Sequence, residues 1–419
     1  MTGSDRPRLR AVEAFPIAQD GERAIGLRDP AGFTDQVAVL PRPLLDIVSL
    51  FDGEHSLAEI RDIVAARYDA VVTEAEIGRV AERLDEAGFL DSPRFVARRE
   101  RIEAEFAARP TRPAAHAGGA YAEEGPALRA QIEGFFRSPL GPGAGASGSE
   151  IGKLRGPEGP LAPLRGLLAP HIDFHRGGPT YAWAYRELLA RSDADCFVIL
   201  GTCHAGMPDP FAATLKPYET PLGPAPVDRD FVEALGRRYG DGLLTSEGAH
   251  RVEHSIEFQA VMLRWALSER RPFTVVPILA SFLHEAVWTS GAPEADPRVP
   301  RFLDALGATI AASSRRVCVI GGVDLAHVGP RFGDPEPNTP AFLAEVERED
   351  RAMLDAVVAG RAHDFYESVA RDGDARRICG LSPIYAVLRA LPGAQGRLLQ
   401  YTQWPDPEGA VTFCAATFT

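Results

Sequence analysis

Cysteine is scarce in this chain, and the few present do not suggest pairs. Cys196, Cys203, Cys318, Cys379 and Cys414 are five in 419 residues, an odd number, and no CxxC motif occurs. These counts disfavour a disulfide framework, and a reducing compartment is expected. No apolar run approaches the roughly 20 residues of a membrane span. The opening MTGSDRPRLRAVEAF has no apolar signal core, so a cytoplasmic location with no membrane partner is the expectation. A basic excess is missing too. The formal charge is −13, which disfavours a nucleic-acid partner, because a phosphate backbone demands a basic face. No internal repeat is evident.

What is present is a 45% hydrophobic chain, long enough for more than one domain and a sizeable core. Residues 1–95 read as one unit. VEAFPIAQDGERAIGLRDP has short alternating stretches suited to small strands. Apolar residues then recur at helical spacing: Leu44, Leu45, Ile47 and Val48, next Ile60, Ile63 and Val64, next Ile77, Val80 and Leu84. Ser56 with Glu59 and Thr73 with Glu76 form capping boxes, and Gly88 is a C-cap before Phe89-Leu90. With Phe51-Asp52-Gly53, the SLAEI helix start and the closing GFL, residues 12–95 resemble the PqqD-like family of small winged-helix-like domains. That resemblance implies a peptide bound by the N-terminal domain on behalf of a modifying enzyme. A generic small helical domain is the alternative.

Residues 96–113 are expected to be a charged, helical connector to a second domain, 114–419. Residues 138–163 are rich in Gly, Pro, Ala and Ser and read as a flexible insertion. The GxGxxG match at 143–148 follows no strand and opens no clear helix, so it is rejected as a dinucleotide site. From residue 164 onward, apolar runs at Gly166–Ala169, Cys196–Leu200, Phe273–Leu279 and Val317–Ile320 alternate with helical patterns. This is the signature of an α/β sheet with helices on both faces. RLLQYTQW and AVTFCAATF are expected to pair as a hairpin at its edge.

Metal-competent side chains follow the apolar runs: His171 after LLAP, His204 after FVILGTC, Asp324 and then His327 after VCVIGGV. In open α/β sheets ligands bind beyond the carboxyl ends of the strands. Cys379 in RRICGLSP lies just before a helix, a position that biases a thiol toward thiolate. Taken singly, each of these residues is more often a structural one, and spacing does not prove that they converge.

Six stretches, in order, resemble motifs of the MEMO-like family (AmmeMemoRadiSam system protein B). They are His116-Ala117-Gly118 with Tyr121, Ala169-Pro170-His171, Leu200-Gly201-Thr202-Cys203-His204, Glu253-His254-Ser255-Ile256-Glu257, Val323-Asp324-Leu325-Ala326-His327-Val328-Gly329, and Ile378-Cys379-Gly380 with Pro383-Ile384. The resemblance implies a fold similar to class III extradiol dioxygenases and an iron or copper ion held by His171, His204 and Cys379. It places Asp324 and His327 beside that ion. Two His and one Cys suit a redox-active or thiophilic metal better than Mg or Ca. Three protein ligands leave a coordination position open.

Three departures bear on the substrate. APHIDFHRGG adds Asp173 and His175, Ala205 replaces a second His, and Ala120 replaces a Trp. His175 is a further candidate ligand or base, and His116 a secondary one. Cys203 adjoins His204, but a sequence neighbour usually points away. His254 and Glu257, at i and i+3, are expected to share a helix face, with the carboxylate orienting an imidazole that serves as general base or substrate-orienting group. The alternative is a helix start in which Glu253 complements the dipole. Three functions compete: a metal-dependent redox enzyme using His254, Asp324 and His327 for protons; a metal- or peptide-binding module without turnover, working with a radical-SAM partner enzyme; and a scaffold whose site has lapsed.

Overall fold

The computed structural model describes residues 5–19, 22–68, 71–143, 163–240, 242–289 and 291–419. Most of the expected insertion 138–163, and nearly all of the GxGxxG match, lies outside the described residues. The chain divides into two compact units, Met1–Arg109 with Pro330–Gly333, and Pro110–Gly329 with Asp334–Thr419.

The first unit opens with an antiparallel sheet, β1 (Glu13–Gln19), β2 (Glu22–Arg28) and β3 (Ala38–Pro41), in that spatial order. Among the described residues four helices follow: α1 (Arg42–Val48), α2 (Leu57–Tyr68), α3 (Glu74–Ala87) and α4 (Pro93–Ala107). Both capping boxes form. Ser56 and Glu59 exchange hydrogen bonds at the start of α2, as do Thr73 and Glu76 at the start of α3. Gly88 ends α3 with φ +85°, a conformation that disfavours any side chain. Ile47, Val48, Ile60, Val64, Ile77 and Leu84 supply the apolar faces of the unit's core.

The second unit is a mixed α/β fold. Its helices are α5 (Gly125–Arg137), α6 (Phe174–Arg191), α7 (Arg229–Tyr239), α8 (Glu257–Leu267), α9 (Leu283–Trp288), α10 (Arg298–Ala312), α11 (Pro340–Val358), α12 (Ala362–Ala370) and α13 (Leu381–Ala390). Its strands are β4 (Gly166–Ala169), β5 (Cys196–Thr202), β6 (Phe211–Ala213), β7 (Thr274–Ala280), β8 (Val317–Gly322), β9 (Asp324–Val328), β10 (Gly396–Trp404) and β11 (Ala410–Phe418). They form one sheet in the order β10-β11-β4-β8-β5-β7-β6, with β9 also paired to β11. The central strands β4, β8, β5 and β7 are parallel; β6, β9, β10 and β11 pair antiparallel.

Strand periodicity explains the two-sided core. Leu168, Val198, Leu200, Val276 and Val319 face one apolar cluster, with α7 and α9–α13. Their neighbours Leu167, Phe197, Ile199, Val275 and Ile320 face the other, with α5, α6 and α8. Successive residues of a strand point to opposite faces, so an uninterrupted apolar run is what a doubly covered sheet requires. Each such Leu, Ile or Phe contributes about 1.5–3 kcal/mol by leaving water. Among the described residues no helix is long and apolar enough to cross a membrane.

Among the described strands β3, β6 and β9 escaped the sequence reading, β3 because its four residues run directly into the helical pattern of α1. β6 has three residues, too few to show a period. β9 begins only one residue after β8, where Val323 turns the chain and its N–H donates to the Ala169 carbonyl at 2.8 Å.

Candidate metal centre

The carboxyl ends of β4, β5 and β8 deliver His171, His204 and Asp324, and the turn into α13 delivers Cys379. Cys379 is pinned from three directions. Its N–H donates to the Leu325 carbonyl at 3.2 Å, its carbonyl accepts from Thr202 Oγ1 at 3.1 Å, and the next N–H, of Gly380, donates to the Asp324 carbonyl at 2.9 Å. A Cβ on Gly380 would stand 2.6 Å from Val323 Cβ and 2.7 Å from the Asp324 carbonyl oxygen, so only glycine allows this approach. The loop leading in holds Asp374 and Arg377 at positive φ, 58° and 54°, an uncommon backbone for residues with side chains.

The geometry brings three donors together. Cys379 Sγ lies 3.1 Å from His171 Nε2 and 3.1 Å from His204 Nε2, and the three ligand atoms all fall within 4.8 Å of one another. The opposite nitrogen of each ring is already committed. His171 Nδ1 is 2.9 Å from the Gly322 carbonyl, and His204 Nδ1 is 3.0 Å from both oxygens of Glu253. Carbonyls and carboxylates only accept, so each Nδ1 carries a proton and each Nε2 is left to meet the sulfur, through a shared proton or as a ligand to a shared ion.

The electrostatics match. Burial pushes the Cys379 thiol up, but His171 and His204 outweigh it and bring it down to about 6. Cys196, Cys203 and Cys318, buried without such neighbours, are pushed up to about 12. Burial depresses His204, yet Glu253 and Cys379 raise it well above the usual imidazole value; Glu253 itself is held well below the carboxylate range, chiefly by His204 and His254 against the effect of burial. The donor set fits a metal ion. Two imidazole nitrogens and a thiolate, spaced 3.1 Å from nitrogen to sulfur, suit bonds of about 2.0–2.1 Å to N and about 2.3 Å to S.

Around this group Asp324 is buried. It accepts the His171 N–H at 3.0 Å and lies 3.6 Å from His171 Nε2; burial raises its carboxyl to about 6. His171 is buried and His204 exposed, so the group opens to solvent on the His204 side. The His254 ring stacks on His204, with centroids 4.5 Å apart at 20°, and lies 5.3 Å from His171; burial keeps it neutral. His116 is 5.5 Å beyond His254, its Nε2 donating to the Val252 carbonyl at 2.8 Å. His327 is lowered by burial and feels Asp324 and His204, but joins no ligand group. His175 is exposed on the first turn of α6 and joins none either.

The expected pairing of His254 with Glu257 on one helix face is corrected. Helix α8 begins at Glu257, so His254 lies in the turn before it. That turn folds around Glu253, whose carboxylate accepts the N–H groups of His204 at 2.8 Å and Ser255 at 2.9 Å. Glu257 points elsewhere, into a fully buried ion pair with Arg112 that also receives the Tyr121 hydroxyl and the His116 N–H. The carboxylate beside the imidazoles is Glu253, 3.3 Å from His254 Nδ1. Arg112 was missed altogether. It donates to the carbonyls of His250 at 2.9 Å and Glu253 at 2.7 Å, and so clamps the turn. Its position four residues before His116, in the opening motif, was the only available signal.

Comparison with known proteins supports the MEMO-like resemblance. A family model described as Memo-like protein matches residues 112–413. A MEMO1 family protein of Aquifex aeolicus is 26% identical over 399 residues, covering 94% of each chain. One from Methanopyrus kandleri is 30% identical over 299 residues, 70% of this chain and 92% of that one. One from Thermus thermophilus is 27% identical over 346 residues, 83% of this chain and 93% of that one.

Proposed function

The chain belongs to the Memo-like protein family, and from that premise we propose that it is a metal-dependent redox enzyme with one iron or copper ion held by His171, His204 and Cys379. The observation that carries this reading is the convergence of two Nε2 atoms on one sulfur at 3.1 Å, with both Nδ1 atoms already committed. When bound, the ion supplies a redox couple and, with three protein ligands, a coordination position for substrate or oxygen.

The remaining residues handle the substrate and its protons. His254 is neutral and only partly exposed beside His204, placed to accept a proton from a substrate hydroxyl entering on the open side. Asp324 is poised to hold or return a proton next to His171, and His327 supports it electrostatically. The substrate classes are catechol-like small molecules and peptides. A peptide would be presented by the first unit, to this centre or to a radical-SAM partner enzyme. Five free cysteines, four of them buried, support a cytoplasmic setting.

One observation favours a second reading. A thiolate between two imidazoles is a soft donor set that holds Cu(I) without turnover, and the thiolate is itself oxidisable. Anaerobic purification, metal analysis and oxygen uptake with catechol-like and peptide candidates decide between them. Stoichiometric iron with substrate-dependent uptake supports the enzyme; tight Cu(I) with no uptake supports the binder. Cys379→Ala is expected to abolish stoichiometric metal, and unchanged metal content would overturn the ligand assignment.

A further inference from the structure

We infer that Glu253 is the positioning residue of the centre: its carboxylate holds the Nδ1–H of His204 and so presents His204 Nε2 to Cys379. The inference deepens the metal reading above and rests on it for its effect on affinity, though not for the hydrogen bond itself.

His204 cannot hold its own orientation. It follows the end of β5 by two residues and its ring is partly exposed, whereas His171 is buried and anchored by the Gly322 carbonyl. What fixes His204 is Glu253 alone among the described contacts of its Nδ1. One carboxylate oxygen accepts the backbone N–H at 2.8 Å and both lie 3.0 Å from Nδ1, so main chain and ring are gripped together. The same carboxylate is 3.3 Å from His254 Nδ1, which accounts for the stacking of the two rings. A donated Nδ1–H leaves Nε2 as the ligand atom and raises its basicity; loss of such a carboxylate typically weakens metal binding about 10–100-fold.

Glu253 is itself over-determined. Its carboxylate also accepts the Ser255 N–H, Ser255 Oγ donates to the Thr202 carbonyl at 2.8 Å, and Arg112 holds the Glu253 carbonyl. The turn therefore ties the end of β5 to the carboxylate that orients the residue following it.

Glu253→Gln tests this. The amide keeps the volume but has one acceptor oxygen for several donors. In metal-free protein labelled with ¹⁵N-histidine, wild type is expected to show a slowly exchanging His204 Nδ1–H, assigned with His204→Gln, and the variant to lose it. Binding of Fe(II) or Cu(I), measured anaerobically by chelator competition, is expected to weaken about 10–100-fold. Glu367→Gln, at an exposed position on α12, should keep both properties. If Glu253→Gln does not fold, Glu253→Asp withdraws the oxygens by one methylene and gives the same two readouts. A variant that keeps the Nδ1–H and wild-type affinity overturns the inference and leaves the metal reading standing. Wild type that takes up neither ion overturns the metal reading, and the Nδ1–H signal still decides the role of Glu253.

Discussion

His250 shows how a single buried residue couples this fold to acidity. Its Nε2–H donates to the Ala212 carbonyl at 3.0 Å, while its Nδ1 accepts the Tyr218 hydroxyl at 2.7 Å. Both ring nitrogens are satisfied only in the neutral form, and burial lowers the pKa from 6.5 to about 3. The unfolded chain therefore takes up a proton that the native state refuses. The contribution of His250 is intact above pH 6.5 and is lost as pH falls toward 3, at about 1.4 kcal/mol per pH unit. Urea unfolding across that window is expected to show His250→Gln with a shallower acid dependence than wild type; parallel slopes would refute the assignment. At this scale the sequence revealed residue types but not partners. Cys379 was legible because a thiol before a helix start is chemically conspicuous. Arg112 and Glu253 were not, because their roles depend on chain segments about 140 and 50 residues away, and a buried Arg resembles a surface one in a linear reading.

Between β9 and α13 the backbones meet without room for a methyl group. Gly380→Ala would press a Cβ against Val323 and the Asp324 carbonyl, and overpacking of that kind costs about 1–3 kcal/mol. The expected outcome is a lower urea midpoint together with weaker metal retention, since displacing α13 carries Cys379 with it; a destabilised variant with full metal affinity would separate the helix from the site. The elements themselves were largely readable. Apolar runs gave the central strands, and capping boxes the starts of α2 and α3, because these signals are local. The start of α8 was misplaced: the apolar periodicity runs back through Ile256, but a carboxylate at Glu253 competes for the backbone N–H groups and holds the preceding residues in a turn.

Across the whole molecule, every donor of the proposed centre, and both apolar clusters that hold it, belong to the second unit. A chain of residues 110–419 is therefore expected to retain the wild-type metal content on anaerobic purification, and loss of metal would show that the first unit takes part. The α/β class was legible from alternation alone. The strand order was not, because nothing local tells the chain that its last strand inserts between β4 and β10. That insertion has a consequence for folding. β11 supports both β4, which leads to His171, and β9, which begins at Asp324. Two strands far apart in the chain thus share one neighbour, so the walls of the proposed centre rest on long-range pairings, whose loop-closure entropy is paid before the contacts form.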